Sequence, residues 1–338
     1  MSSKKITLII GAGASKDINP TIYTGEELTK GIADRVTDRN SPGKEYLSEK
    51  LKIKLGINTE IRERFLIHLE NYRTNPLILN PSIDEFLNEV NNFKEFETDR
   101  NVFLQIGYVM ILAHIFGFEG REDDATLKAL FKENTWLSIL SDEIEKNKIL
   151  EAPLDNRLRI ITFNYDRIIE LYLLRKYNKS KEIIEFINNN ILHVYGRAGA
   201  LDGLQLRELE GGLKEKVIPF GFANDQLEKI DGIKTHIKVI YEKRNDASFL
   251  KELKEIITTS TDIFAFGYGF DTVNNSRLGF QNINTIEQRF VANVFSNRSL
   301  SFDFNERRKM TEKIRRIVPD ADIHYGTCSE FLEYCFRN

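Results

Sequence analysis

Short, uninterrupted runs of apolar residues recur along the chain and predict buried β-strands. The first run is Ile6–Ile10, and four more cover residues 158–163, 191–195, 262–268 and 322–325. Such runs, rich in β-branched residues, are typical of parallel strands that are covered on both faces. The pattern therefore predicts a parallel sheet built from segments that lie far apart in the sequence.

Between these runs the apolar residues recur at helical spacing. Thr24-Gly25-Glu26-Glu27 and Ser82-Ile83-Asp84-Glu85 match the capping box, which predicts a helix start at each. Further helices are predicted over residues 126–146, 165–177, 183–190, 247–260, 280–298, 304–318 and 329–336. Alternating strands and helices favour an α/β fold, a Rossmann-like doubly wound parallel sheet. We predict one domain over residues 1–338, with a large helical insertion at 44–150.

The most apolar stretch lies inside this insertion, at residues 102–118. It falls just short of the roughly 20 residues that a membrane span needs, and it contains Gln105, Gly107 and His114. We therefore expect a buried or oligomer-interface helix and no membrane segment. The apolar run after Lys4 and Lys5 is too short for a signal peptide.

The composition and net charge of the chain argue against several classes of function. The chain has 338 residues, of which 41% are hydrophobic, and its formal net charge of −3 gives no basic footprint for nucleic acid. Its two cysteines, Cys328 and Cys335, cannot form a four-cysteine zinc site, so no metal is expected. The same low cysteine count favours a reducing, cytoplasmic location.

The first strand enters a glycine loop, Gly11-Ala12-Gly13-Ala14-Ser15. Glycines let backbone amides approach a ligand closely, and nucleotide phosphates bind at this position in open α/β sheets. Lys16 stands where the dehydrogenase fingerprint has its third glycine, and no P-loop sequence occurs. The loop alone therefore predicts a phosphate cradle, with a tight turn under a helix as the alternative.

Candidate site residues also stand at the ends of three other predicted strands or just after them, where the carboxyl edge of a sheet would present them. They are Thr162, Asn164, Asp166, His193, Tyr195, Gly267, Gly269 and Asp271. Alternation along a strand predicts that Thr162 and Asn164 share a face, as do His193 and Tyr195. Alternatively, Asn164 caps a helix, His193 is a hydrogen-bonded core residue and Asp271 is a turn residue. Their joint occurrence with the glycine loop favours a site.

At this point the chain resembles the sirtuin superfamily. Sirtuins have G-A-G-x-S at the first loop, where this chain has Gly11-Ala12-Gly13-Ala14-Ser15. They have T-Q-N-I-D at the catalytic asparagine, where this chain has Thr162-Phe163-Asn164-Tyr165-Asp166. A histidine–glycine strand end and a glycine-rich nucleotide loop follow in the same order. The resemblance covers residues 1–40 and 155–338.

The chain also departs from the zinc-bearing deacetylases. It has no C-x-x-C pair, and Asn19-Pro20-Thr21 replaces their proline–aspartate–phenylalanine–arginine segment. It is similar instead to bacterial sirtuin-like proteins of anti-phage defence, through Ser82-Ile83-Asp84-Glu85-Phe86-Leu87, the N-Y-D motif and the G-Y-G-F-D loop. That resemblance implies an NAD⁺ hydrolase that releases ADP-ribose and nicotinamide and depletes NAD during abortive infection. NAD⁺ is then a substrate, and no separate cofactor is expected.

The resemblance also implies roles for individual residues. The amides of residues 11–14 would hold the pyrophosphate with Ser15 nearby, and Gly269 and Asp271 would contact the adenosine ribose. Asn164 would orient the ribose and the attacking water, and Asp166 would fix the loop or stabilise positive charge. The remaining nucleotide contacts are predicted at Thr162, Tyr195 and Gly267.

The base position has two candidates. Sirtuins place their catalytic histidine directly before the glycine, where this chain has Tyr195, and His193 lies two residues earlier. We favour His193 because imidazole titrates near neutral pH and a phenol near 10. Tyr195 remains the alternative.

A free NAD⁺ hydrolase would harm its host, so we expect control by self-assembly, a partner protein or a bound signal. Residues 102–118 are the predicted assembly surface, because an apolar helix of this length needs cover. Two other functions stay open: a non-catalytic regulatory subunit that binds NAD or ADP-ribose, and a protein deacylase. A linear and a cyclic ADP-ribose product are both compatible with the sequence.

Overall fold

The computed structural model describes the following parts of the chain: residues 4–20, 22, 24–37, 59–76, 82–119, 125–209, 213–220, 237, 247–295 and 304–337. Its strands are β1 (Ile6–Ile10), β2 (Leu158–Thr162), β3 (Ile191–His193), β4 (Glu208–Leu209), β5 (Leu213–Lys214), β6 (Asp262–Phe266), β7 (Arg289–Phe295) and β8 (Asp322–Gly326). Six of them form one parallel sheet in the order β3-β2-β1-β6-β7-β8, and β4 pairs with β5 in a small antiparallel hairpin.

The chain begins at the centre of this sheet. It proceeds outward through β2 and β3, then crosses back to the other side of β1 and continues through β6, β7 and β8. Ile10 is level with Thr162 on one side and with Phe266 on the other. The carboxyl ends of β1, β2 and β6 therefore meet where the direction of winding changes, which is where ligands bind in such sheets. The predicted α/β, Rossmann-like parallel sheet is confirmed.

Helices precede and follow the strands. They are α1 (Ala12–Ile18), α2 (Gly25–Thr37), α3 (Thr59–Thr74), α4 (Ile83–Asn92), α5 (Arg100–Glu119), α6 (Ala125–Leu130), α7 (Trp136–Lys146), α8 (Ile168–Lys176), α9 (Lys181–Asn190), α10 (Ala247–Thr259), α11 (Thr272–Leu278), α12 (Phe304–Ile317) and α13 (Cys328–Arg337). Single 3₁₀ turns cover Lys94–Phe96, Ile149–Glu151 and Phe280–Asn282.

Both predicted helix starts are confirmed. The amide of Thr24 donates to Glu27 Oε2 over 3.0 Å, which is one half of the capping box in front of α2. The amide of Glu85 donates to the Ser82 hydroxyl over 3.1 Å at the start of α4. These bonds satisfy backbone donors that the first helical turn leaves without an intrahelical partner.

Two apolar clusters cover the faces of the sheet. Leu8 and Ile10 of β1 belong to one cluster, together with residues of helices α2 to α9. Ile9 lies on the opposite face, in a cluster with residues of α10, α11 and α12. All described residues between α3 and β2 are helical or connect helices, whereas residues 44–58 of the predicted insertion lie outside the described residues.

The apolar helix α5 packs inside the protein. Phe103, Ile106, Met110 and Ile111 are buried in the same cluster as the sheet, so the chain itself provides their cover. Burial of this helix was predicted and is confirmed. These four side chains need no cover from a second chain, and control by self-assembly stays a prediction. Among the described residues, no helix is long and apolar enough to cross a membrane.

The helix predicted over residues 280–298 is wrong. A 3₁₀ turn is followed by β7, which pairs in parallel with both β6 and β8. Phe290, Ala292 and Val294 pack on one face of the sheet and Val291 on the other. The prediction failed because β7 is a central strand with apolar residues on both faces, and their spacing was mistaken for that of a helix. Ile237 is described without its neighbours in the chain, and it forms a bridge with Gly196.

Candidate functional site

The glycine loop is short because α1 begins directly after β1, with Gly11 as its N-cap. Helix α1 has only seven residues and ends at Ile18, with Asn19 as its C-cap. Gly267, after β6, packs on its first turn with a φ of +59°. A Cβ at Gly267 would lie 2.1 Å from the Ala14 nitrogen, and one at Gly11 would lie 2.4 Å from the Gly267 oxygen. The glycines therefore allow two loops to meet at the point where the winding changes.

Most of the backbone amides that were predicted to bind a phosphate already donate hydrogen bonds within the protein. The Gly11 amide donates to the Phe266 oxygen over 3.2 Å, and the Gly13 amide donates to the Gly267 oxygen over 2.9 Å. The Ala14 amide donates to the Gly11 oxygen over 3.0 Å. Three of the four amides predicted to hold a pyrophosphate thus bond to the chain itself in this arrangement.

Asn164 lies at the carboxyl end of β2, beside the glycine loop. Its Nδ2 donates to the Gly11 oxygen over 3.2 Å and to the Ser15 hydroxyl over 2.9 Å. The side chain is only 7% exposed, and its Oδ1 has no hydrogen-bond partner. A buried amide oxygen without a partner costs free energy, so an acceptor held in this way is suited to a ligand hydroxyl or a water.

The alternative role of Asn164 as a helix cap is not observed. Helix α8 begins at Ile168 and its N-cap is Arg167, three residues further on. Asp166 instead accepts a hydrogen bond from the Ser15 hydroxyl over 2.8 Å, and its other oxygen accepts from the Ile168 amide over 3.3 Å. Ser15 thus connects Asn164 to Asp166. The Asn164 amide donates to the Thr162 hydroxyl over 3.1 Å, so Thr162 supports the same turn.

His193 is also brought to this region, but it is enclosed. It is 1% exposed, its Nδ1 lies 2.9 Å from the backbone oxygen of Asn164, and its Nε2 lies 2.7 Å from Glu170 Oε1. Both ring nitrogens therefore have protein partners. Arg197 lies 3.6 Å from the same Glu170 oxygen and forms a two-point ion pair with Glu215, at 2.8 and 2.9 Å.

The neighbouring cations stabilise the ionised forms of the buried carboxyl groups of Glu170 and Glu215. Burial by itself raises the pKa of the Glu170 carboxyl, but the charge and hydrogen bond of His193, with Arg197, outweigh it and hold that pKa well below its ordinary value. Hydrogen bonds from Arg197 likewise lower the pKa of Glu215 against the effect of burial. Both carboxylates are therefore ionised acceptors at neutral pH.

Tyr195 lies on the opposite face of the sheet from His193. It packs in the cluster that contains Leu192, its hydroxyl donates to Asn274 Oδ1, and the Arg277 guanidinium lies 5.0 Å above its ring. Burial raises the pKa of Tyr195 above its ordinary value. The predicted shared face is not found, because β3 ends at His193 and the chain then turns towards Gly196.

The last predicted nucleotide contacts lie on the loop that begins at Gly267. Asp271 is the N-cap of α11 and accepts from the amides of Val273 and Asn274 at 2.9 and 3.2 Å, so its alternative role as a turn residue is observed. Gly269 is exposed, and a Cβ there would meet nothing within 4 Å. Its oxygen accepts from Lys313 Nζ over 2.8 Å. Neither Gly269 nor Asp271 has a hydrogen bond to Asn164 or Ser15 among those found in the described residues.

Sequence analysis assigned no role to two residues that border the site. Asp84 of α4 accepts from the Tyr165 hydroxyl over 3.0 Å, which links the helical segment to the N-Y-D motif. The only tryptophan of the chain, Trp136, donates from Nε1 to the Ala14 oxygen over 2.9 Å. Trp136 is completely buried, and a buried indole N–H needs a hydrogen-bond acceptor. Asp84 lay within a quoted motif, but nothing in the sequence identified its contact.

Three further observations limit the chemistry that the described residues can perform. Within the described ranges, no group of three His, Cys, Asp or Glu side chains is arranged to hold a metal ion. A polar cavity of about 430 Å³ lies between the end of α1 and the start of α13, and none of the predicted site residues lines it. Cys328 and Cys335 are buried free thiols.

No protein-family model matches the chain, and no curated protein matches it. Any assignment of function therefore depends on the geometry described above and on the sequence motifs.

Proposed function

We propose that this protein hydrolyses NAD⁺ at the bond between nicotinamide and ribose. The observation that carries the proposal is the side chain of Asn164, whose Nδ2 is fixed by Gly11 and Ser15 while its buried Oδ1 has no hydrogen-bond partner. An acceptor in this state is suited to a ribose hydroxyl or to the attacking water.

Position distinguishes Asn164 from similar residues. Asn190 and Asn293 also have a buried Oδ1 without a partner. Asn190 precedes β3, at the amino edge of the sheet, and Asn293 lies within β7. Asn164 alone among these three follows a strand next to the change in winding, where open α/β sheets bind nucleotides.

The reaction needs little acid catalysis. Nicotinamide leaves as a neutral molecule because it is cationic while bound to ribose, and the transition state resembles an oxocarbenium ion, as in glycoside hydrolysis. The oxygen of water then bonds to the ribose carbon and one proton is released, which leaves ADP-ribose and nicotinamide. Asn164 Oδ1 orients the hydroxyl or the water, and the buried carboxylate of Asp166 adds negative charge near the developing cation.

Substrate binding requires a change in the glycine loops. The Gly13 amide is bonded to the Gly267 oxygen, so the pyrophosphate of NAD⁺ gains this amide only if Gly267 moves away. Gly269 and Asp271 follow Gly267 and would contact the adenosine ribose. This requirement agrees with an enzyme whose activity is restrained until a signal arrives.

The resemblance to bacterial defence proteins supplies the biological part of the proposal. In that setting the protein acts in the cytoplasm and depletes NAD⁺ when phage infects the cell. Its restraint comes from self-assembly or from a partner defence protein. These statements depend on the quoted motifs alone.

The test compares two asparagines. Purified full-length protein is incubated with NAD⁺, and nicotinamide and ADP-ribose are separated by chromatography for the wild type, Asn164→Ala and Asn190→Ala. Asn190 is a matched control because it is buried, donates through Nδ2 to the Pro153 oxygen and lacks a partner at Oδ1. Asn164→Ala should abolish turnover, whereas Asn190→Ala should keep the wild-type rate per folded molecule. Equal rates in the two variants would overturn the assignment.

A second function is favoured by the enclosure of His193. A non-catalytic subunit that binds NAD⁺ or ADP-ribose needs no accessible base, and both nitrogens of His193 are engaged. Calorimetric binding of NAD⁺ without nicotinamide release, in the presence and absence of cell extract from infected bacteria, would favour this function over hydrolysis.

A further inference from the structure

We propose that His193 is a positioning residue, whose doubly protonated ring fixes the main chain of Asn164 and does not accept a proton from water. The role in turnover rests on the hydrolase proposal, whereas the protonation state of the ring does not.

The partners of the ring decide which of its nitrogens carry hydrogen. A backbone carbonyl oxygen can only accept, so the 2.9 Å contact with Asn164 requires a hydrogen on Nδ1. An ionised carboxylate can also only accept, so the 2.7 Å contact with Glu170 requires a hydrogen on Nε2. A ring that donates from both nitrogens is an imidazolium, which has no lone pair left to act as a base.

The surrounding charges support this state. Glu170 Oε1 lies 2.7 Å from Nε2 of the ring and 3.6 Å from Arg197. Arg197 makes its two shorter contacts with Glu215, which also accepts a hydrogen bond from the Arg207 amide. Among the described residues the closest cation for the buried Glu170 carboxylate is therefore a protonated His193, and a buried charge is tolerated when it is paired and hydrogen-bonded.

Fixing Asn164 from two sides explains how His193 would act. The ring holds the backbone oxygen of Asn164, while Gly11 and Ser15 hold its side-chain nitrogen. The position of Oδ1 is thereby determined without any contact between His193 and the substrate. Removal of the ring would free the turn between β2 and α8 and misplace Oδ1, and a small misplacement is enough to slow a reaction that depends on orientation.

The first experiment measures the protonation state directly. The wild-type protein is labelled with ¹⁵N at its histidine rings, and the signal of His193 is assigned among the five histidines by its loss in His193→Gln. We expect both ring nitrogens to carry hydrogen in the folded protein at neutral pH. A singly protonated ring under these conditions would overturn the proposal. This measurement needs no activity, so it decides the point even if the protein does not cleave NAD⁺.

The second experiment separates positioning from proton transfer. Glutamine can donate to the Asn164 oxygen but cannot take a proton, so His193→Gln should keep kcat within about tenfold of the wild type with an unchanged pH profile. His193→Ala should lose far more. Removing a general base costs ~10²–10⁴-fold. A loss of that size in His193→Gln, equal to that of His193→Ala and accompanied by a changed pH profile, would overturn the positioning role. Turnover is measured per folded molecule, with folding checked by thermal unfolding.

Discussion

The hydroxyl of Tyr165 donates to Asp84 over 3.0 Å, and this bond joins the helical segment that precedes β2 to the motif that contains Asn164. Tyr165 is adjacent to Asn164 in the chain, and Asp84 lies in the first turn of α4. The bond therefore connects α4 directly to the turn that contains Asn164.

This bond should be measurable by a double-mutant cycle. A hydrogen bond to a charged group contributes about 1.5–3 kcal/mol, so Tyr165→Phe and Asp84→Ala should each lower the free energy of unfolding by an amount of this order. The double variant should lose less than the sum, with a coupling free energy of about 1 kcal/mol or more. Urea unfolding of the four proteins measures it. Additive losses would show that the two side chains do not interact.

Replacement by alanine should destabilise the protein strongly at Gly267 and hardly at all at Gly269, although both glycines lie in the same loop. Gly267 has a left-handed backbone, and a Cβ there would lie 2.1 Å from the Ala14 nitrogen, so Gly267→Ala must displace α1. The left-handed backbone alone costs roughly 1–2 kcal/mol for other residues, and the clash adds to it. Gly269→Ala, with nothing within 4 Å of the new carbon, should change the free energy of unfolding by less than about 0.5 kcal/mol.

Unfolding midpoints in urea compare these two variants. If Gly269 contacts the adenosine ribose as proposed, Gly269→Ala should also raise KM for NAD⁺ while kcat stays unchanged. Equal midpoints for the two variants would contradict the loop contact described here.

The strand pattern could be predicted because a parallel sheet buries both faces of its central strands. Five of the six sheet strands follow from apolar runs, and β7 does not. Its apolar residues are interrupted by Asn293 and preceded by the polar turn at 284–288, where the Gln288 amide donates to the Asn284 oxygen over 2.8 Å. A central strand was therefore mistaken for an amphipathic helix.

The sequence could predict which residues lie at the strand ends, but it could not predict the residues that contact them. Asn164 and Asp166 follow a strand directly, so the topology determines where they lie. The charged residues next to His193 come from separate segments, and spacing alone does not show how they pair. Only the fold shows that Glu170 contacts the ring and that Arg197 joins Glu170 to Glu215.

Ser15 should matter for turnover more than for folding. Ser15→Ala removes the donor to Asp166 and the acceptor for Asn164 Nδ2, so it should lower kcat at least tenfold while leaving a folded protein that is about 1–3 kcal/mol less stable. Ser141→Ala is the matched control, because Ser141 is equally buried and donates to the Ser138 oxygen over 2.8 Å, away from these residues. It should lose comparable stability and keep its turnover number. A comparable loss of turnover in Ser141→Ala would mean that destabilisation alone explains both.

Asp17 should give the protein a measurable pH dependence. Burial raises the pKa of its carboxyl from 3.8 to about 6, although the amides of Cys328 and Ser329 act in the opposite direction. Because the folded state holds the proton more tightly than the unfolded state, this group's contribution to stability is present below pH 3.8 and is lost as the pH rises through 6. Asp17→Asn keeps an acceptor for the two amides and removes the charge, so its stability relative to the wild type should increase from pH 4.5 to pH 7.5. Asp202→Asn, at an exposed carboxylate, should show no such increase when unfolding in urea is measured at both pH values.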